Sequence, residues 1–166
     1  MNRPKLGIVV PLANEESTVD ELYERVSIHL EPHDLLIVVI DNASRDNTRN
    51  KLEQLSAADS RLVVVWAPEN RCVVDAYFRG YREALVQDCQ WILEMDRGFS
   101  HKPEEIPQFI EAMQGGADFV AGCRFLPGAT HRGSISRKLL SRGGTILARL
   151  LLPSKMNDMT SSVHGF

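Results

Sequence analysis

Trp91-Ile92-Leu93-Glu94-Met95-Asp96 and Leu35-Leu36-Ile37-Val38-Val39-Ile40-Asp41 are the two stretches that decide the fold. Each is a short apolar run ending in a carboxylate. Runs of this length, rich in Val and Ile, are the pattern of strands buried on both faces of a parallel sheet. In open α/β sheets, ligands sit just beyond the carboxyl ends of the strands. Two such strands deliver Asp41 and Asp96 to one edge of the sheet, where a sugar nucleotide or a metal–phosphate group could be held.

Outward from these runs, the chain alternates. Residues 5–11 read as a first strand. Ser17 is placed as the N-cap of a helix, with Asp20 and Glu21 in its first turn and Val19, Leu22, Val26 and Leu30 as its apolar stripe. Pro32 is expected to end that helix. After the polar loop 42–48 comes a helix burying Leu52, Leu55 and Ala58, then a strand over 61–67. A helix over 73–87 packs through Ala76, Gly80, Ala84 and Leu85. Pro103 opens a helix with Ile106, Phe109, Ile110 and Met113 inward, and Gly115-Gly116 stops it. Residues 117–122 read as a fifth strand and 134–152 as a long amphipathic helix, or two, ended by Pro153. Strands and helices in alternation with short connections predict an α/β fold, a mostly parallel sheet with helices on both faces.

The composition is that of one ordinary globular domain over residues 1–166, 43% hydrophobic and 25% charged. The chain ends abruptly at His164-Gly165-Phe166, which suggests a C-terminally truncated or short form. A net charge of −3 offers no electrostatic case for nucleic acid. Three cysteines without CxxC spacing argue against a zinc site or disulfide framework and fit a reducing compartment. No stretch reaches the roughly 18 apolar residues of a membrane span. The expected location is the cytoplasm, or the cytoplasmic face of a membrane.

Several loops carry chemistry. Asp41 lies flush against a wholly apolar strand and could accept hydrogen bonds from a base or ribose. The rest of its loop, Asn42 to Thr48, also suits local capping. Pro11-Leu12-Ala13-Asn14-Glu15 ends the first strand and should meet that loop. Asp96 after the fourth strand can hold a divalent cation that bridges a diphosphate, or cap a turn. Arg124 follows the fifth strand, and its planar fork suits phosphate, although a solvated arginine has the same pattern. Acids are absent from residues 125–157, while Arg132, Arg137, Lys138, Arg142 and Arg149 punctuate Ile135, Leu139, Ile146, Leu147, Leu150 and Leu151. Such a helix either packs into a core with a solvated basic face or lies on an anionic membrane.

The order of these motifs resembles family 2 glycosyltransferases of the GT-A fold, most closely the dolichol-phosphate mannosyltransferase-like branch. The matching residues are Pro11, Asn14 and Glu15; Asp41, Asn42, Ser44, Asp46 and Thr48; Asn70, Ala76 and Gly80; Asp96 with Ser100, His101 and Pro103; Gly122, Arg124 and Phe125; Ser141-Arg142-Gly143; and Asp158-Met159-Thr160-Ser161. The resemblance implies inverting transfer of a sugar from a GDP- or UDP-linked donor to a polyprenyl phosphate (dolichyl or undecaprenyl). It assigns Pro11, Leu12, Asn14, Glu15, Asp41, Asn42, Ser44, Asp96 and Arg97 to the donor. It assigns Arg124, Ser136, Arg137 and Arg142 to the acceptor phosphate, and Asp96, Arg124 and Asp158 to catalysis. Asp96 is the implied ligand of Mg²⁺ or Mn²⁺. Gly98 stands where the family's DxD motif has its second Asp, and Arg97 adds a cation that could replace part of the metal's charge. Peripheral membrane contact is expected through residues 132–152, and a homo-oligomer is left open.

The competing expectation is a non-catalytic or truncated relative that serves as a nucleotide-binding or scaffold module. A nucleotidyltransferase would want a basic, Gly-rich loop after the first strand, where Ala13-Asn14-Glu15-Glu16 is acidic. A dehydrogenase lacks its GxGxxG.

Overall fold

Strands apolar on both faces must lie inside a sheet covered from both sides, and the computed structural model has that arrangement. It describes residues 3–96, 102–123, 135–152, 158 and 163–166, with backbone alone for 135–139. The elements are β1 (Leu6–Leu12), α1 (Val19–Ser27), β2 (Leu35–Ile40), α2 (Thr48–Ala58), β3 (Leu62–Trp66), α3 (Val73–Val86), β4 (Trp91–Glu94), a 3₁₀ turn (Pro103–Glu105), α4 (Ile106–Gln114), β5 (Val120–Ala121), α5 (Ile135–Leu151) and β6 (His164–Gly165). The sheet order is β3-β2-β1-β4-β6-β5. β3, β2, β1 and β4 run parallel, and β6 is antiparallel to both β4 and β5.

The alternation of each strand divides the core. Ile8, Val10, Leu36, Val38, Leu93 and Met95 face α1, α2 and α4, meeting Leu22, Val26, Leu52, Ile106 and Phe109. Val9, Ile37, Val39 and Ile92 face α3, where Ala76 and Ala84 are the contacts. Each fully buried aliphatic side chain contributes about 1.5–3 kcal/mol, so this two-sided sheet is the main source of stability. Small residues let α3 ride low on the sheet. A Cβ on Gly80 would lie 2.2 Å from Val9 Cγ1.

Some expectations are corrected. Thr18, not Ser17, precedes the first turn of α1, and its hydroxyl turns back to Glu15 Oε2 at 2.5 Å. α1 stops at Ser27, well before Pro32, because His29 and Leu30 already bond back to Val26 and Ser27 in a tighter turn. Ala58 is exposed at the end of α2, and Leu85 is 64% exposed because it lies opposite the Ala76–Gly80–Ala84 stripe. β5 is two residues long rather than six, since it pairs only with the equally short β6. α5 is not a core helix over its described side chains: Leu140, Ile146, Leu147, Leu150 and Leu151 are all exposed.

One buried charge was missed. Asp34, fully buried ahead of β2, accepts hydrogen bonds from Leu6 N at 3.0 Å, Glu31 N at 2.7 Å and Arg3 Nη1 at 2.9 Å. It ties the entry of β1 to the entry of β2, at the end of the sheet opposite the site.

Candidate functional site

Parallel strands deliver their carboxyl ends to one edge, and the register fixes what meets there. Pro11 pairs with Val39 and Leu12 with Ile40, so the loop after β1 lies beside the loop after β2. Asn14 fastens them together. It adopts φ 58°, a left-handed conformation that Asn tolerates. Its Nδ2 donates to Ala43 O at 2.8 Å, and its Oδ1 accepts from Arg45 N at 2.9 Å. Its own N donates to Ser44 Oγ at 3.1 Å. Glu15 is buried, and its N donates to Thr48 Oγ1 at 2.7 Å. The PxxNE pattern therefore reads here as a device that aligns two loops.

Asp46 completes the junction. It accepts from Thr48 Oγ1 at 2.5 Å, Thr48 N at 3.1 Å and Glu16 N at 2.9 Å. The Thr48 hydroxyl is the main reason its carboxyl is pulled down to about 2. Asn42 Nδ2 donates to Pro68 O at 2.8 Å and joins the loop after β3 to the same group.

Above these loops is a cleft of 270 Å³. It is lined by Pro11, Leu12 and Ala13 from β1 and its loop, Val39, Asp41 and Ala43 from β2 and its loop, and Asn70, Arg71, Cys72, Val73 and Ala76 from the loop after β3 and α3. Asp41 Oδ1 accepts from Ala43 N at 2.9 Å, which orients the carboxylate. The cleft thus joins apolar walls to a carboxylate and a guanidinium, a combination suited to a flat heterocycle with polar edges. Arg71, Cys72 and Val73 were not among the predicted site residues. Their signal was the position of Asn70 after β3, beside Asp41's strand.

Asp96 stands across β1 from Asp41. Val9 pairs with Glu94, and Met95 N donates to Val9 O at 3.0 Å, so the β4 chain follows β1 toward Pro11. Asp41 follows β2 and Asp96 follows β4, with β1 between. Two interstrand spacings separate them by about 10 Å across the sheet. That is the reach from a nucleoside to its diphosphate. Asp96 is half-buried and Asp158 is buried. Among the described residues, no group of three His, Cys, Asp or Glu side chains could hold a metal ion. A hard cation is commonly held by one or two carboxylates plus substrate phosphates. Asp96 at an open sheet edge fits that donor set.

Arg97, Gly98, His101 and Arg124 lie outside the described residues, as do the side chains of Ser136 and Arg137. Arg142 is exposed on α5. No described helix is long and apolar enough to cross a membrane.

A second group missed from sequence lies behind Asp96. Glu94 accepts a hydrogen bond from the Tyr81 hydroxyl on α3 and meets His164 Nδ1 on β6. Tyr77 OH donates to Met95 O at 3.1 Å. Burial, then the neighbouring Glu94 charge, push the Tyr77 hydroxyl well above its ordinary value. Tyr81 shifts the same way, first through burial and then through its bond to Glu94. Both phenols are therefore neutral donors. Period-two alternation from Asp96 would have put Glu94 on the same face.

The glycosyl transferase family 2 model matches residues 7–166, nearly the whole chain. The chain belongs to that family. Dolichol-phosphate mannosyltransferase of Pyrococcus furiosus is 32% identical over 163 residues, 98% of this chain and 45% of that protein. Polyprenol monophosphomannose synthase of Mycolicibacterium smegmatis is 30% identical over 96% of this chain and 60% of its own length. This family 2 chain thus spans about half to three-fifths of those two relatives. Among solved structures, glucosyl-3-phosphoglycerate synthase from Mycobacterium tuberculosis, in complex with Mn²⁺, UDP and glucosyl-3-phosphoglycerate, superposes with a TM-score of 0.67. It is 19% identical over 98% of this chain and 56% of that one, so the likeness is one of fold. The family 2 chain therefore has the GT-A architecture that the resemblance implied, built on the parallel α/β sheet that its strand pattern predicted.

Proposed function

We propose that this domain binds a nucleotide sugar along the Asp41–Asp96 edge and transfers the sugar, with inversion, to a polyprenyl phosphate. The observation that carries the reading is the 270 Å³ cleft lined by Asp41, at the same carboxyl edge of the sheet to which β4 brings Asp96. Family membership and the named relatives, a dolichol-phosphate mannosyltransferase and a polyprenol monophosphomannose synthase, support the reaction class. The described strands all join one six-stranded sheet, which supports one domain.

In this reading Asp41 accepts hydrogen bonds from base or ribose, and Pro11, Leu12 and Val73 pack on the ring. Asn14, Glu15 and Ser44 act by holding the two loops in register; Asn42 adds the loop after β3. Asp96 would hold a Mg²⁺ or Mn²⁺ ion, which would supply positive charge to the leaving diphosphate. A phosphate oxygen of the acceptor attacks the anomeric carbon as the bond to the nucleoside diphosphate breaks. A lipid phosphate is already ionised near neutral pH, so positioning and charge suffice without a strong base. Arg124, Ser136, Arg137 and Arg142 are assigned to the acceptor phosphate, with Asp158 beside the reacting centre and Arg97 adding positive charge where Gly98 replaces a carboxylate.

The exposed face of α5 supports the membrane-facing part of the proposal. Leu140, Leu147 and Leu151 recur at spacings of seven and four, flanked by Arg142 and Arg149. Such a helix can lie on an anionic lipid surface, where a polyprenyl phosphate resides. The cytoplasmic face is the matching location.

A thermal-shift panel of UDP- and GDP-sugars, with and without Mn²⁺, tests donor binding, because a ligand of the native state raises its melting temperature. Transfer of labelled sugar to undecaprenyl phosphate tests the reaction. A shift without transfer leaves a nucleotide-binding module; no shift with any nucleotide refutes the donor site.

A further inference from the structure

We propose that Tyr81, Glu94 and His164 form a clamp that sets the position of Asp96, and so the geometry of the diphosphate end of the site. The inference rests on the donor-site reading above.

Three elements meet at one carboxylate. Tyr81 reaches Glu94 Oε2 from α3, and His164 Nδ1 reaches Oε1 from β6. A carboxylate only accepts, so the imidazole nitrogen carries the hydrogen. Glu94 and His164 are directly opposite on neighbouring strands. Their side chains are 14% and 22% exposed, so water compensates poorly for a lost partner. Aromatic rings close the group. Phe119 stacks on His164 at 5.5 Å, and Phe166 meets Tyr81 edge-on at 5.4 Å.

The clamp has a mechanical reason to exist. β4 and β6 share only two residue pairs, Leu93 with Gly165 and Glu94 with His164. Backbone bonds hold β4 on both sides, from Met95 N to Val9 O and between Ile92 and Phe166, and the clamp adds side-chain bonds at its last residue. Tyr77, one turn before Tyr81, adds its hydroxyl to Met95 O. Glu94 and Met95, the two residues before Asp96, are thereby gripped from α3 and β6. Asp96 follows directly on this gripped pair. The nucleoside end, built on β1 and β2, lies on the other side of β1 and does not depend on the clamp. Tyr81, Glu94 and His164 are positioning residues that act through Asp96.

This separation provides the test. Calorimetric titration with UMP, GMP, UDP and GDP, in the presence of Mn²⁺, is done on the wild type, His164→Ala, His164→Asn and Tyr81→Phe. His164→Ala is expected to keep monophosphate affinity and to lose about tenfold in diphosphate affinity, the size seen when a supporting partner of a metal ligand is removed. His164→Asn places an amide donor near the former Nδ1 and should recover most of the loss. Tyr81→Phe deletes one hydroxyl within an intact aromatic pair; it should shift the same ratio in the same direction even if His164→Ala fails to fold. Equal losses for mono- and diphosphates, or an unchanged ratio in Tyr81→Phe and the folded His164 variants, overturn the clamp and leave the donor site standing. A wild type that binds no nucleotide overturns both.

Discussion

Replacing Gly80 by alanine should destabilise the domain although alanine is the better helix former. A Cβ at this position would lie 2.2 Å from Val9 Cγ1 and 3.2 Å from Val39 Cγ2. Carbon atoms pack at about 3.5–4.0 Å, so the first contact is too close by about 1.3 Å. Val9 is fully buried in the middle of β1, and α3 must lift to make room. Overpacking of this kind costs about 1–3 kcal/mol, and the depth of the clash places it at the upper end. Alanine returns about 1 kcal/mol of helix propensity. The net expected loss is about 2 kcal/mol. Urea unfolding followed by circular dichroism would read it as a fall of about 1 M in midpoint, for a slope near 2 kcal/mol/M. Val9→Ala alone should cost about 2 kcal/mol through lost burial and a cavity. The double variant should then be more stable than the sum by more than about 1 kcal/mol, because the new methyl enters the space Val9 leaves. Wild-type stability in Gly80→Ala, or strict additivity in the double variant, would refute the close approach of α3.

Other expectations follow from the same geometry. Asp34→Ala leaves Arg3, whose side chain is 5% exposed, without its main partner, and should cost about 3–5 kcal/mol in chemical unfolding. Asp46 is held at about 2, below the about 3.9 of an unfolded aspartate, so its contribution is complete above that upper value and fades as pH falls toward the lower one. Thr48→Val removes the largest cause; carboxyl NMR titration should show the Asp46 value rise, and the melting temperature should depend less on pH in that window. Asp41→Ala should weaken nucleotide binding about 10- to 100-fold, the scale of a hydrogen bond to a charged group, with unfolding midpoints nearly unchanged. Leu147→Glu should reduce cosedimentation with anionic vesicles about tenfold or more, since each inserted leucine contributes about 1.5–3 kcal/mol.

The sheet and the edge that carries Asp41 and Asp96 were legible because their signals are local. Apolar runs ending at Asp41 and Asp96 fix strand, direction and edge together, and the stripes of α1, α3 and α4 say which helix face is inward. Boundaries shifted where tertiary bonds decided them. Thr18 precedes α1 because its hydroxyl finds Glu15, which Ser17 does not. The hydrogen bonds of Asn14 to the neighbouring loop and of Glu15 N to Thr48 were not legible, because no periodicity encodes them. Asp34 and Glu94 were missed for a related reason. Each lies beside an apolar run and reads as a surface acid until distant partners, Arg3 for one and His164 for the other, are brought to it. β6 was illegible because a two-residue strand has no period to read.

The place of β6 also sets an order of assembly. Glu94 waits for a partner 70 positions further along the chain. During synthesis at about 5–20 residues per second, that is a delay of about 4–14 s. β1, β2 and β3 can close as soon as residue 66 has emerged, whereas the outer edge of β4 stays open throughout the interval. An open strand edge is a template for the wrong neighbour. The nucleoside half of the cleft would therefore form early on the ribosome. The half that ends in Asp96 would be the part in need of a chaperone's cover.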